Sequence, residues 1–469
     1  MSARSVRRVF VTLSGAFLLL GTVAAVAAVQ GQEQNDERPG PGEYAAILGD
    51  CVACHTAPGG EPFAGGLKLA TPLGDIVATN ITPSEAGIGN YTLEQFDAAV
   101  RRGVRADGKR LYPAMPYTAY AKVSDEDIAA MYEWFMNEVP PSDYQPPATE
   151  LPFPFSVRLS LAVWNFMFLD DEPFTPDPSQ TEQWNRGAYL TQGLTHCGTC
   201  HTPRNLLMAE QQSRFLAGGA VGPWEAPDIT SNPRTGIGEW SIEELVEYMK
   251  TGNTPRSQAA GPMAEVVDHS LRYATEEDLE AIAVYLQTVP ASAGVQPERA
   301  VHEWGEAGNN LAAIRGERLP GDPRDWTGAQ LYDAYCAACH RASGQGTADG
   351  VMPALFNNTA TGREYTNNLA LVILNGIHWV GEGHDMHMPG FAHELTDLQI
   401  ATLSNHVLEM YGNPDARVTI EQVAALRGGT AQAQGQPNLL RLTRLGLAAG
   451  FVLVLAVVWL MLRRKLIRT

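Results

Sequence analysis

The chain has 469 residues, of which 45% are hydrophobic, so it is long enough to form three or four domains with substantial cores. Its formal net charge of −19 excludes the basic faces that nucleic-acid binding requires. An acidic surface of this kind keeps a protein soluble or meets a basic patch on a protein partner.

Residues 1–30 are typical of a secretory signal peptide. Three arginines precede an apolar run over residues 9–29, and Ala25-Val-Ala27 offers a small-residue cleavage site. Because the apolar run is long for a signal peptide, an uncleaved membrane anchor is the alternative. In both cases the sequence predicts that the rest of the chain is exported.

Three copies of the pentapeptide Cys-x-x-Cys-His use every cysteine in the chain. The cysteines are Cys51, Cys54, Cys197, Cys200, Cys336 and Cys339, and the histidines are His55, His201 and His340. This pattern is the attachment signature of c-type haem, in which two thiols bond the vinyl groups of the porphyrin and the histidine binds the iron. A zinc site would need a second pair of ligands, and none follows at the required spacing. The sequence therefore predicts three covalently bound haem c (heme c) groups.

The first two motifs lie in duplicated segments. The first is followed by Thr79-Asn-Ile-Thr-Pro83 and Gly87-Ile-Gly-Asn-Tyr-Thr92, and the second by Pro227-Asp-Ile-Thr-Ser231 and Gly236-Ile-Gly-Glu-Trp-Ser241. Self-similarity at a fixed offset indicates duplicated units. The third motif is followed by neither block and is similar to that of an ordinary single-haem cytochrome.

Capped helices are predicted in all three segments. A hydroxyl residue followed three positions later by an acid or amide marks each helix start, and these residues are Thr92, Ser124, Ser241, Thr275 and Thr396. A glycine and an aromatic residue precede each haem motif, and the glycines are Gly42, Gly187 and Gly328. A glycine at this position would allow the first helix of a segment to cross the last helix closely.

The fold class predicted from these patterns is mainly α, with three tandem class I cytochrome c-like domains and a C-terminal transmembrane helix. The cytochrome c domains are predicted over 38–142, 179–292 and 323–415, with linkers over 143–178 and 293–322 and a tether over 416–440. We call the three predicted domains the first, second and third segments. The apolar stretch 156–169 is too short to span a membrane and is predicted to be a helix packing between haem domains, with membrane contact as the alternative.

A transmembrane helix is predicted over 441–465. The uncharged run 445–462 has the minimum length for crossing a bilayer, and the basic residues after it favour a cytoplasmic C-terminus. The haem domains are accordingly predicted on the periplasmic side of the inner membrane, held by this helix.

The sixth ligand of each iron is predicted to be a methionine, whose thioether raises the reduction potential. Met115 and Met263 lie in proline-bounded loops at matching offsets in the two duplicated segments. In the third segment Met388 precedes the last helix, as Met115 does in the first. Other candidates stay open there, and they are Met352, Met386, His384 and His387.

The Asn-Ile-Thr-Pro, Gly-Ile-Gly-x-[Tyr/Trp]-[Thr/Ser] and Pro-Ala-Met-Pro-Tyr motifs resemble those of the triheme cytochrome c subunits of bacterial membrane-bound dehydrogenases, such as gluconate 2-dehydrogenase, fructose dehydrogenase and alcohol dehydrogenase. This resemblance implies a catalytic dehydrogenase subunit as partner, with a flavin, PQQ or molybdopterin cofactor. It also implies electron transfer to ubiquinone, and it leaves open a small third subunit. The chain itself would carry electrons without substrate chemistry.

Two other functions are compatible with the motifs. A cytochrome c subunit of a terminal oxidase or other respiratory complex would carry the same haems, although such chains usually bring further membrane helices. A haem peroxidase would need an iron without a sixth ligand, and the third segment is the only place where the sequence leaves that choice.

Overall fold

The computed structural model describes residues 39–294, 296–309, 311–380 and 385–429. The predicted signal peptide over 1–30 lies outside these residues. Helices form most of the regular secondary structure of the described chain, and its strands form two-stranded antiparallel hairpins.

The first segment begins and ends with the helices that pack against each other, with the haem motif directly after the first one. Its elements are α1 (Pro41–Leu48), α2 (Cys51–His55), β1 (Lys68–Thr71), β2 (Gly74–Val77), α3 (Leu93–Arg102), α4 (Tyr117–Tyr120) and α5 (Asp125–Asn137). In the hairpin, Lys68 pairs with Val77 and Thr71 with Gly74. Helix α6 (Ser160–Phe168) follows in the predicted linker.

The second segment repeats this order with additions. Its elements are α7 (Glu182–Tyr189), a π-helical turn (Leu190–Leu194), α8 (Gly198–His201), a 3₁₀ turn (Gln212–Arg214), β3 (Ala217–Val221), β4 (Trp224–Asp228), α9 (Ile242–Thr251), β5 (Asn253–Thr254), β6 (Ser257–Gln258), α10 (Pro262–His269), a 3₁₀ turn (Leu271–Tyr273) and α11 (Glu276–Leu286). The β3–β4 hairpin takes the place of β1–β2, and Ala217 pairs with Asp228.

The third segment has a different middle part. Its elements, with the short helix that precedes it, are α12 (Leu311–Ile314), a 3₁₀ turn (Pro323–Asp325), α13 (Gly328–Tyr335), α14 (Ala337–His340), α15 (Thr359–Gly362), α16 (Asn367–Asn375), β7 (Gly376–Val380), β8 (Asp385–Pro389) and α17 (Asp397–Tyr411). Helix α18 (Ile420–Arg427) follows. It buries Val423 and Leu426 in the third segment's core, so the first part of the predicted tether is a packed helix.

The predicted helix caps are present. The side chains of Thr92, Ser241 and Thr396 each accept a hydrogen bond from the third helical N–H, and the side chain of that third residue accepts one from the cap N–H. Ser124 and Thr275 make the first of these bonds only, because an aspartate follows three positions later. Local sequence therefore determines where these five helices begin.

The glycines before the haem motifs lie at tight helix crossings. A Cβ on Gly42 would lie 2.1 Å from the Ala130 carbonyl oxygen, and one on Gly187 would lie 1.8 Å from that of Ala281. A Cβ on Gly328 would lie 2.5 Å from the Cβ of His406. The structure thus confirms the expectation that glycine allows the first helix of each segment to cross the last.

The first and second segments share one hydrophobic cluster. Its members range from Ala45 to Val139 in the first segment and from Ala188 to Val289 in the second. The third segment has a cluster of its own, from Leu331 to Leu426. Removal of either of the first two segments would therefore expose part of the core of the other.

Two tyrosines at equivalent positions, one in the first segment and one in the second, each form hydrogen bonds with the other segment. The Tyr44 hydroxyl in α1 donates to Asp278 Oδ2 over 2.8 Å and accepts from the Thr275 N–H over 3.0 Å, at the start of α11. Tyr189 in α7 bonds Asp127 and accepts from the Ser124 N–H over 3.2 Å, at the start of α5. Each segment's first helix is thus bonded to the cap of the other segment's last helix.

Helix α6 packs between the first two segments, as the sequence predicts. The Asn165 side chain accepts from the Tyr117 hydroxyl over 2.8 Å, and the Trp164 Nε1–H donates to the Leu207 carbonyl oxygen over 2.8 Å. Tyr117 belongs to the first segment and Leu207 to the second. The outward face of α6 stays apolar, with Phe166 91% exposed.

None of the described helices is long and apolar enough to cross a membrane. The longest, α17, has fifteen residues, about 22 Å at 1.5 Å per residue, whereas the hydrocarbon core of a bilayer is about 30 Å thick. The predicted membrane helix over 441–465 itself lies outside the described residues. The fold class with a C-terminal transmembrane helix, and the anchored location on the periplasmic side of the inner membrane, are therefore corrected, because the structure supports neither.

Candidate haem-binding sites

Each Cys-x-x-Cys-His motif forms a short helical turn, in α2, around α8 and around α14. The thiols are free, and all but the exposed Cys339 are half-buried. Burial, with a smaller contribution from the charge of Asp50, raises the pKa of Cys51 to about 12. Burial likewise raises the pKa of Cys336 to about 12.

The three motif histidines are held in the same way. Nδ1 of His55 lies 2.6 Å from the Thr79 carbonyl oxygen. The distance from His201 Nδ1 to the carbonyl oxygen of Pro227 is 2.7 Å, and from His340 Nδ1 to that of Pro353 it is 3.0 Å. A carbonyl oxygen can only accept, so Nδ1 carries the proton and the lone pair is on Nε2. Burial lowers the pKa of all three imidazoles, which favours this neutral, iron-binding tautomer.

The duplicated Asn-Ile-Thr and Asp-Ile-Thr blocks position two of these carbonyl groups. Asn80 Oδ1 accepts from the Thr82 N–H over 2.8 Å, and Asp228 Oδ1 accepts from the Thr230 N–H over 2.9 Å. Both turns direct the carbonyl of the preceding residue at the motif histidine. Asp228 also accepts from Ser292 Oγ over 2.5 Å, which ties the turn to the end of the second segment.

The third segment has the same histidine geometry, but its histidine and the carbonyl group that faces it lie closer together in the sequence. Pro353, whose carbonyl oxygen faces His340, directly follows Met352. The Met352 backbone is fixed to Thr347 by two hydrogen bonds, of 2.9 Å and 3.0 Å. Met352 is therefore attached to the side of the site that holds the histidine, which argues against its serving as the sixth ligand.

The three predicted methionine ligands lie at half-buried positions in contact with core clusters or hairpins. Met115 precedes α4 and packs against the shared cluster. Met263 lies in the first turn of α10, after Gly261 with its positive φ, and both Met263 and Ile377 pack against the small cluster of Ala259, Ala264 and Val267. Met388 lies in β8 directly opposite Ile377. The fold thus brings Met263 and Met388 to the same region.

The alternative ligand His387 faces another histidine. Its Nδ1 lies 3.4 Å from Nδ1 of His378 across the β7–β8 hairpin, and both side chains are exposed. His384 lies outside the described residues. This pairing favours Met388 over His387 as the ligand in the third segment.

The first and second motifs also lie close together. Burial, then the charge of Asp50, then that of Cys200 raise the pKa of Cys54 to about 12, and the contribution of Cys200 indicates that the two attachment turns are close. Helix α10 packs against α2, and Ser270 after it donates to the Leu48 carbonyl oxygen over 3.3 Å. Since α10 also contacts β7, it lies between the first site and the third.

The residues present fit a haem with its propionates. The Trp240 indole N–H is buried and has no hydrogen-bond partner among the described residues, although its ring lies 5.8 Å from that of Tyr248. A buried indole N–H normally donates to an acceptor. A haem carboxylate would satisfy it, and Cys, His and Met are the donor set that attaches haem c and binds its iron.

Sequence reasoning missed the carbonyl groups of Thr79, Pro227 and Pro353, which accept the hydrogen bonds from the motif histidines. Their role is played by the backbone, so residue type carries no sign of it. The one available signal was the conserved spacing of the Asn80 and Asp228 turns in the two copies, because an Asx turn repeated beside a motif indicates a shared backbone task.

These sites and the helices around them define a c-type cytochrome. A family model for cytochrome c matches residues 327–410, which is most of the third segment. Of the three cytochrome c-like domains expected from the sequence, this match covers one, so the fold class is corrected in this respect too.

The chain is similar to cytochrome subunits over nearly its whole length. It is 43% identical to the fructose dehydrogenase cytochrome subunit of Gluconobacter japonicus, covering 96% of both chains. It is 37% identical to the gluconate 2-dehydrogenase cytochrome c subunit of Pantoea cypripedii, over 90% of this chain and 97% of that one. It is also 37% identical to the cytochrome c subunit of the alcohol dehydrogenase (quinone) of Gluconacetobacter polyoxogenes, covering 90% of each. The chain belongs to this family of dehydrogenase cytochrome c subunits, which confirms the resemblance and implies electron transfer with a catalytic dehydrogenase partner.

Proposed function

We propose that this chain binds three haem c groups and carries electrons from a catalytic dehydrogenase subunit to ubiquinone. The observation that carries the proposal is the repeated histidine geometry, in which His55, His201 and His340 each donate from Nδ1 to a backbone carbonyl oxygen. Three sites with the same orientation of the ligand are expected of three haem irons in one chain.

The site residues have three different roles. The six motif cysteines attach the porphyrins, the three histidines bind the irons, and Met115, Met263 and Met388 complete them. Each bound haem supplies one-electron exchange. A methionine in every sixth position leaves no iron open to a substrate, so this chain carries electrons and its partner does the substrate chemistry.

The packing of the sites supports a path in chain order. Cys54 lies near Cys200, Met263 and Ile377 pack against the same small cluster, and Met388 lies opposite Ile377. The second site therefore has contacts with both of the others. Electrons would enter at one end of this series and leave at the other.

The names of the relatives support a proposal for the kind of dehydrogenase that is the partner. Their names specify fructose, gluconate and alcohol dehydrogenases, so we propose a partner that oxidises a sugar, a sugar acid or an alcohol, with a flavin, PQQ or molybdopterin cofactor. The alcohol dehydrogenase relative is named for its quinone acceptor, which supports ubiquinone as the acceptor here. A small third subunit is compatible with this assembly.

The test is purification of the holocytochrome from its own cells in mild detergent, with its bound subunits identified by mass spectrometry. We expect a dehydrogenase subunit, haem reduction on adding fructose, gluconate or ethanol, and reoxidation by a soluble ubiquinone analogue. Met263→Ala should lower the potential of one haem, because the thioether favours the ferrous state. Co-purification of a copper–haem oxidase subunit, without haem reduction by any of the three substrates, would contradict the proposal.

A further inference from the structure

An arginine of the third segment lies beside the second haem site. Arg363 follows α15, and the chain on both sides of it is bonded to the second segment. Thr359 Oγ1 donates to Ser257 Oγ over 2.8 Å on one side, and Asn368 Nδ2 donates to the Glu225 carbonyl oxygen over 2.9 Å on the other. Ser257 belongs to β6 and Glu225 to β4, the strand that also supplies the carbonyl group for His201.

The backbone around Arg363 has little freedom to move. A Cβ on the preceding Gly362 would lie 1.8 Å from the Val301 carbonyl oxygen, so this glycine packs directly on the neighbouring chain. Asn358, the residue directly before α15, donates from Nδ2 to Gln258 Oε1 over 2.8 Å. The arginine is therefore held at the second site by contacts on both sides.

The charge of Arg363 acts on the second site. Burial lowers the pKa of its guanidinium, and the carboxylates of Glu225 and Asp228 oppose this. The Arg363 guanidinium also lies close enough to His201 for its charge to act on that ring. Burial raises the pKa of Tyr248 to about 12, and Arg363 acts in the opposite direction. The guanidinium thus lies among groups that surround the second iron ligand.

The second segment and the arginine beside it carry polar groups without a hydrogen-bond partner among the described residues. No hydrogen bond or ion pair joins the Arg363 guanidinium to another described side chain. The Trp240 N–H and Glu225 Oε2 are buried and also lack a hydrogen-bond partner among these residues. A guanidinium and an indole N–H are donors that need acceptors. A carboxylate is an acceptor for either of them and pairs with a guanidinium through two oxygens.

We propose that Arg363 is a positioning residue of the second haem site, where it binds a propionate carboxylate of the haem held by His201 and raises the potential of that haem. The inference rests on the proposed function, since it requires a haem at the second motif. A positive charge near an iron favours the ferrous state, because reduction removes one positive charge. Packing of the third segment against the second would then contribute to setting the potential of the second haem.

The test is a spectroelectrochemical titration of the full-length holocytochrome with chemical mediators, which needs neither dehydrogenase nor quinone. Met263→Ala first identifies the component that belongs to the second haem. We expect Arg363→Gln to lower the reduction potential of the same haem. At a fixed potential, the ratio of reduced to oxidised haem should fall about tenfold, which corresponds to about 59 mV for one electron. Arg363→Lys keeps the charge but not the two-pronged geometry, so its shift should be smaller.

The matched control is Arg324→Gln, an arginine of the third segment that pairs with Asp322 at the surface and should leave all three components unchanged. Haem content per chain is measured for each variant. Should Arg363→Gln not retain three haems, Arg363→Met, which keeps an apolar stem without the charge, takes its place with the same expectation. An unchanged Met263-dependent component, or a shift in the component that Met388→Ala moves, would overturn the proposal. Neither result would bear on whether a dehydrogenase reduces the protein.

Discussion

The crossing of α7 over α11 offers the sharpest test of how the second segment is packed. In Gly187→Ala the new methyl carbon would lie 1.8 Å from the Ala281 carbonyl oxygen and 2.4 Å from its carbonyl carbon. Ordinary contact begins at 3.4 Å, so the helices must separate by about 1.5 Å in a core packed to crystal density. Because the obstacle is backbone, we expect the upper end of the cost of overpacking, about 3 kcal/mol. The melting temperature should then fall by about 6–12 °C.

The assay is thermal unfolding of the holoprotein, followed by circular dichroism and by haem absorbance. Gly294→Ala is the control, because a Cβ there would meet no atom within 4 Å. Since the first and second segments share a cluster, both probes should shift together in Gly187→Ala. A melting temperature within about 2 °C of the control would refute the reasoning, because it would mean that the crossing can open without loss of packing.

Three further predictions concern single side chains. Tyr44→Phe removes a hydrogen bond to the Asp278 carboxylate and should cost about 1.5–3 kcal/mol in chemical denaturation. Met388→Ala should lower the potential of one haem, whereas Met352→Ala should leave all three potentials unchanged in the same titration. Burial, and then the charge of Glu265, raise the pKa of Asp50 to about 8. The folded protein therefore keeps a proton on this carboxyl that the unfolded chain loses at about pH 4. Wild-type stability should therefore fall as pH rises between these values, and Asp50→Asn should remove that slope in melts at pH 5 and pH 8.

Each of these predictions has a clear contrary result. Equal denaturation midpoints for Tyr44→Phe and the wild type would mean that water replaces the tyrosine hydroxyl without loss. A shift in Met352→Ala but not in Met388→Ala would exchange the ligand assignment. Parallel pH profiles for Asp50→Asn and the wild type would show that the buried carboxyl does not hold its proton.

The sequence predicted those parts of the molecule that depend on nearby residues. The haem motifs, the caps at Thr92 and Ser241 and the glycine crossings are local patterns, in which residue type and spacing carry the physical requirement. The same reasoning placed α6 between the first two segments from its length alone.

The remaining features depend on contacts between distant residues. The carbonyl groups that orient the histidines are backbone atoms, which any residue type provides. Arg363 is 162 positions from His201 (363 − 201), and no local pattern links an arginine of one segment to a histidine of another. The shared cluster was missed for a similar reason, because periodicity shows which face of a helix is apolar but not which segment covers it.

The hydrogen bonds that Tyr44 and Tyr189 form between the first two segments are reciprocal. The first segment's tyrosine bonds the second segment's cap, and the second segment's tyrosine bonds the first segment's cap at the equivalent position. Such reciprocity is the mark of a two-fold homodimer, in which one patch serves on both subunits. The duplicated half of this protein thus has the interface that two copies of a single-haem ancestor would form. The Tyr332 hydroxyl of the third segment instead donates to the Arg341 carbonyl oxygen within its own segment.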